Sequence, residues 1–405
     1  MISPFRRIAL SKLKFEDSQM TIINRRNASD LRGVMRLAVD ATVGVTDLVE
    51  KMHHTIQLAH PPLGASRAGQ TSGLTGLVYR SVRGTTRLLG RGLDAGMAPL
   101  ASLLPDNTSS ATRDALVAAI NGVYGDHLVE TDNPLAARMT IRYQGGRLDH
   151  EQPDALPDAK AKVLLFIHGL CLNDGHWARD GVNQGEALAQ NLGYTPLYLR
   201  YNTGLPVAAN GLELAAMLES LLHNWPQADC ELAIAGHSMG GLVARSACHH
   251  GRLAGHQWLQ HLGKLVFIGT PHHGAPLERG GNWINYAMDM SPYSAPFTRL
   301  AKKRSAGISD LRNGRVAGDG NGVVPLPADV ECYAMAATLA KKPGRIHQRL
   351  IGDGLVPVDS ALGNHRDPAR TLEIPESHRW LGFETGHMAL LGSEQVYGQL
   401  RNWLE

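Results

Sequence analysis

Gly236-His237-Ser238-Met239-Gly240 fits the pattern G-x-S-x-G, and its setting says more than the match itself. The residues just before the turn, Glu231 to Ala235, are almost wholly apolar. After it, Leu242, Val243, Ser246 and Ala247 recur at helical spacing, so the serine stands at a strand–turn–helix bend. Small residues flank it because the chain turns too sharply for side chains there. A hydroxyl held clear of a sheet in this way is a candidate nucleophile. It attacks an acyl carbon only if a base takes its proton and a third group fixes the tautomer of that base.

For a serine at such a bend the partners follow in the order Asp or Glu, then His, each in a loop after a strand. His387, in Glu384-Thr385-Gly386-His387-Met388, follows the last expected strand and precedes the last helix, where the base belongs. His365 and His378 come before that strand, and His249 and His250 lie on the helix after the nucleophile; all four read as surface or core histidines. The best candidate acid is Asp353, in Gly352-Asp353-Gly354-Leu355-Val356-Pro357. Asp319, in Gly318-Asp319-Gly320, and Asp359, in a short helix, stay open as alternatives whose simpler reading is a turn or helix-cap aspartate. An anionic tetrahedral intermediate also needs two backbone N–H groups. Met239, next to the nucleophile, supplies one. Leu170, in Ile167-His168-Gly169-Leu170, supplies the other, with His168 supporting the loop.

The elements that must hold these residues follow from the hydrophobic pattern. Lys162 to His168 is a continuous apolar run, as expected of a strand buried on both faces. Helix is expected over Glu186–Leu192, Asn210–Trp225 and Gly240–Arg252, and strand over Thr195–Leu199, Leu232–Ala235 and Lys264–Gly269. This alternation implies a mostly parallel sheet with helices on both faces. Residues 275–330 break the rhythm with five prolines and read as a cap or lid. Strands near Cys332–Ala337 and Leu381–Glu384, a short helix around Val358–Leu362 and a last helix after Gly392 complete the catalytic part, residues 161–405. Residues 131–160 read as a linker with one strand, Arg138–Tyr143, and residues 1–130 as an all-helical region.

The motifs Phe166-Ile-His-Gly-Leu170, Gly236-His-Ser-Met-Gly-Gly241, Gly269-Thr-Pro-His-His-Gly274, Gly352-Asp-Gly-Leu-Val-Pro357 and Gly386-His387 together resemble the α/β-hydrolase superfamily. Within it they are most similar to bacterial triacylglycerol lipases and hydrolases like the GPI inositol-deacylases. The resemblance covers residues 160–405 and implies a serine hydrolase cleaving a lipophilic carboxylic ester through an acyl-enzyme. It also implies that the His-Gly-Leu loop gives an oxyanion donor and that the Asp of Asp-Gly-Leu-Val is the triad acid, which supports Leu170 and Asp353. A thioesterase or intracellular polyester depolymerase would use the same residues. A catalytically silent scaffold would have lost one of them, and none is lost.

Composition bounds the setting. No cofactor motif is present, and the adjacent pairs His53-His54 and His272-His273 lack metal-ligand spacing. The four cysteines show no C-x-x-C spacing, so a reducing, cytoplasmic compartment is expected. Residues 1–10 do not read as a signal peptide, and Met20 is an alternative start. Residues 1–150 hold 18 of the 40 Lys+Arg and 13 of the 37 Asp+Glu, which puts the basic excess at the N-terminal end. There Arg80, Arg83, Arg87 and Arg91 line one side of an expected helix. Such a row is a solvated face or a contact for an anionic membrane surface. With no aromatic residues between the arginines, nucleic acid is not expected.

Overall fold

A computed structural model describes residues 29–30, 32–40, 42–43, 78–88, 111–151, 156, 158–179, 182–227, 229–275, 305–318, 324–341 and 352–405. Most of the expected cap, Asp319, Arg91, His53-His54 and the alternative start at Met20 lie outside these residues. The chain forms two compact units, residues 1–110 with 128–136, and residues 111–127 with 137–405. In the first unit, residues 32–40 and 78–88 are helical. The Asn133 amide donates to the Gly33 carbonyl at 3.0 Å, and Arg36 donates to the Asp132 carbonyl at 2.9 Å.

The second unit is built on eight strands: β1 (Thr140–Tyr143), β2 (Gly146–Leu148), β3 (Lys162–Ile167), β4 (Tyr194–Arg200), β5 (Glu231–His237), β6 (Leu262–Ile268), β7 (Glu331–Ala337) and β8 (Arg379–Gly382). They lie in the order β2-β1-β4-β3-β5-β6-β7-β8. The six from β4 to β8 run parallel, and β1 pairs antiparallel to both β4 and β2. The helices are α1 (Ala111–Glu130), α2 (Gln184–Leu192), α3 (Val207–His223), α4 (Met239–Ala254), α5 (Ala306–Asn313), α6 (Val358–Ala361) and α7 (Glu394–Leu404). This is the α/β-hydrolase fold.

Alternation along β3 explains why the sheet is covered on both faces. Val163, Leu165 and Ile167 pack in one cluster with Leu214, Leu218 and Leu221 of α3 and Leu242 and Val243 of α4. Leu164 and Phe166 pack in the other with Leu188 of α2 and Val396, Leu400 and Leu404 of α7. All five strand residues are fully buried, which is why the run reads as continuously apolar. Local signals set the helix ends. Asn183 accepts from Gly185 N at 3.0 Å and Glu186 N at 3.3 Å to start α2, and Ser393 accepts from Val396 N at 3.1 Å to start α7.

The sequence reading missed β2. It forms because Gln144 and Gly145, at φ 46° and 76°, make a two-residue hairpin with both centres left-handed, the turn that suits strand twist. The helix α5 was likewise hidden in the proline-rich stretch. It is capped by Ser305, whose hydroxyl accepts from Ile308 N at 3.3 Å.

The start of α4 packs against backbone. A methyl group on Gly240 would collide with the Ile167 carbonyl oxygen at the end of β3 and stand 2.8 Å from that of His168. Gly240→Ala is therefore expected to destabilise by about 1–3 kcal/mol, read as a lower urea midpoint; an unchanged midpoint would show that this contact has slack.

Candidate active site

Ser238 joins β5 to α4 with φ 55° and ψ −120°, a left-handed conformation that a non-glycine residue adopts only when its surroundings hold it there. Its N–H donates to the Ile268 carbonyl at 2.8 Å, which ties the bend to β6. The side chain is buried, and Oγ has no hydrogen-bond partner among the described residues.

His387 lies in the loop after β8. Its Nδ1 is 2.6 Å from Oδ2 of Asp353, and its backbone N–H donates to the Asp353 carbonyl at 3.1 Å. The other carboxylate oxygen, Oδ1, accepts from Leu355 N at 3.0 Å and Val356 N at 2.8 Å. Both residues are 3% exposed. An imidazole that gives its Nδ1 proton to a carboxylate presents a bare Nε2, the form that can accept a proton. The ring rests on Gly269, directly after the residue that holds the serine N–H: a methyl group on Gly269 would stand 3.2 Å from His387 Cε1. The structure thus gathers Ser238, Asp353 and His387 in the loops that follow β5, β7 and β8.

The loop after β3 comes equally close. A methyl group on Gly169 would stand 2.9 Å from Ser238 Cβ. Cys171 N donates to Thr203 Oγ1 at 3.1 Å, in the loop after β4, and Leu172 N to the Gly169 carbonyl at 3.2 Å, so both are engaged. Neither the Leu170 nor the Met239 amide donates to a backbone oxygen in the turns and loops of the described residues. His168 faces Tyr201 with ring centroids 4.5 Å apart, and Tyr201 donates its hydroxyl proton to the His168 carbonyl at 2.8 Å.

The remaining candidates lie elsewhere. Asp359 is in α6, His378 contacts the Cys332 carbonyl at 3.2 Å, and His249 and His250 sit edge to face on α4. Among the described residues no group of three His, Cys, Asp or Glu side chains forms a metal site. The sequence reading passed over two buried residues near the elbow. His237 meets His387, with ring centroids 4.7 Å apart. Arg245 on α4, 3% exposed, approaches His272 Nδ1 at 3.2 Å and donates to the Val324 carbonyl; burial pushes its pKa down to about 10. A charged residue on the buried face of an apolar helix was the available signal for Arg245.

A family model described as a domain of unknown function (DUF7379) matches residues 133–301, less than half of the chain. No curated protein matches. Among solved structures, the chain is similar to the mature form of the lipase BlEst2 from Bacillus licheniformis, at 17% identity and a TM-score of 0.41 over 66% of this chain and 97% of that one. It is also similar to a Pyrobaculum calidifontis esterase, at 15% identity and a TM-score of 0.38 over 71% and 92%. A soluble variant of monoglyceride lipase from Saccharomyces cerevisiae aligns at 13% identity and a TM-score of 0.37 over 66% and 90%.

Burial also fixes the charge of the histidines around the site. It holds the pKa of His168 down at about 4 and those of His237 and His272 well below the ordinary value. In the unfolded chain His168 takes up a proton near the ordinary 6.5, in the folded one only near 4. Between these values the unfolded state binds more protons, so stability is lost as pH falls through that window, by about 3 kcal/mol for this group alone. His237 and His272 add in the same sense. Urea midpoints should therefore drop steeply between pH 7 and pH 5, and a flat profile would contradict the burial of these rings as neutral groups.

Proposed function

We propose that the chain is a serine hydrolase that cleaves a lipophilic carboxylic ester through an acyl-enzyme. The observation that carries this reading is the strained, buried Ser238 bend set beside a buried His387–Asp353 pair with an Nδ1–Oδ2 distance of 2.6 Å. Ser238 Oγ attacks the acyl carbon while His387 Nε2 takes its proton, and Asp353 stabilises the imidazolium that forms. The amides of Leu170 and Met239 receive the oxyanion. The alcohol leaves with the proton from His387, and water then attacks the acyl-enzyme by the same route, releasing the acid and restoring Ser238. Leu170 and Met239, whose amides would meet the oxyanion, and Met388, next to His387, are apolar, which suits a lipophilic acyl part.

Ser238→Ala should lower kcat by about 10⁶ on a short-chain p-nitrophenyl ester and abolish labelling by a fluorophosphonate. Asp353→Asn should keep KM and lower kcat by about 10⁴. Labelling of the Ser238→Ala variant at the wild-type rate would end the proposal.

The setting we propose is a reducing compartment, with transient contact to an anionic membrane surface. All four cysteines are free and buried. Among the described residues no helix is long and apolar enough to cross a membrane. The helix over residues 78–88 leaves Val78 53%, Val82 42% and Leu88 72% exposed on one side, while Arg80, Arg83 and Arg87 fall on the opposite side. An apolar face opposed by arginines suits the boundary of an anionic bilayer, where each arginine contributes about 1 kcal/mol. Changing Arg80, Arg83, Arg87 and Arg91 to Gln should reduce co-sedimentation with phosphatidylserine vesicles at least tenfold. Equal sedimentation of both proteins would remove the membrane contact.

A further inference from the structure

His237 precedes the nucleophile and lies against His387 and the loop after β3. Its Nε2 is 3.2 Å from the His387 carbonyl oxygen, and its ring lies against the His387 ring with centroids 4.7 Å apart and planes at 45°. Its Nδ1 faces the loop after β3, where a methyl group on Gly169 would stand 3.1 Å from it. On its third side the Trp177 ring meets it edge to face, with centroids 6.4 Å apart. The side chain is fully buried.

These contacts fix its tautomer. The partner of Nε2 is a carbonyl, which can only accept, so the proton of a neutral His237 resides on Nε2. Nδ1 is then bare, and it has no hydrogen-bond partner among the described residues. Desolvation, with His387 nearby, pushes the pKa of His237 well below the ordinary value. The ring therefore stays neutral while its neighbour gains and loses a proton. A second imidazolium there would repel the first inside a region of low dielectric.

We infer that His237 is a positioning residue for the base: its Nε2–H holds the His387 carbonyl, and its ring backs the His387 imidazole and the Gly169 loop. This rests on the reading of His387 as the base. The main chain of His387 is then held from two sides, its N–H by the Asp353 carbonyl and its carbonyl by His237, so that the ring cannot swing away from the nucleophile. A displacement of about 1 Å in such a group costs on the order of 10² in rate.

The test compares His237→Phe, which keeps a ring of similar size but has no donor, with His237→Gln, whose side-chain N–H can reach the same carbonyl. Two readouts are taken after thermal unfolding has shown both variants folded. On a p-nitrophenyl ester, His237→Phe should lower kcat by about 10² with KM within twofold, and His237→Gln should recover most of the loss. In proton NMR, the far-downfield resonance of the His387 Nδ1–H given to Asp353 should persist in wild type and His237→Gln and broaden or vanish in His237→Phe. Wild-type kcat and an unchanged resonance in His237→Phe would overturn the inference, as would equal impairment of both variants. The resonance is independent of turnover: if the wild type hydrolyses no ester but the resonance still follows the His237 donor, the positioning role stands and the proposed function falls.

Discussion

The left-handed backbone of Ser238 is the constraint to which its surroundings conform. Such a conformation costs about 1–3 kcal/mol and persists only where the surroundings leave no alternative. Here they are glycines packed on main chain and on short side chains. Gly236 packs on Gly240 and Gly241, Gly240 on the carbonyls ending β3, Gly241 on Thr270, and Gly169 on Ser238 itself. With glycines at these positions, the ends of β3, β5 and β6 approach closely. That spacing lets one carbonyl, from Ile268, hold the serine N–H while the next residue supports His387.

Around this bend the polar groups are buried yet differently arranged. The Asp353 carboxylate is met by two backbone N–H groups and an imidazole, so its geometry is over-determined by the loop 352–356. His168 and His237 are held neutral and contact carbonyls. Arg245 keeps its charge with a carbonyl and His272 for partners. A site composed this way concentrates its one short carboxylate–imidazole contact where a proton can be taken up, and leaves the neighbouring rings as fixed, neutral walls.

Local chemistry made part of the arrangement legible in the sequence. A serine between glycines after an apolar run, and a histidine between the last strand and last helix, are short-range patterns that survive folding unchanged. The strand–helix alternation likewise gave the parallel sheet. What the sequence could not display was adjacency across the chain: His237 and His387 are 150 residues apart and meet only because β5 and β8 end on the same side of the sheet. The hairpin β1–β2 was missed because a three-residue strand offers no period to detect. Residues 111–127 joined the sheet unit, although their amphipathic pattern reads like that of the helices before them. Their attachment depends on close approaches such as Gly125 to Asn202, which no periodicity encodes.

The two rims of the sheet carry a consequence for the molecule in a crowded solution. An open β edge is a template onto which another chain can add a strand, and long, flat, apolar edges invite that growth. Here β2 offers only Gly146–Leu148, with Arg147 exposed and the hairpin turn immediately before it, and β8 offers only Arg379–Gly382, opening on an arginine. Neither rim is long enough to register an incoming strand, and on β2 Arg147 sets a positive charge where it would have to dock. A sheet whose inner strands are apolar on both faces is thereby kept from self-templating, and its strands stay committed to one chain.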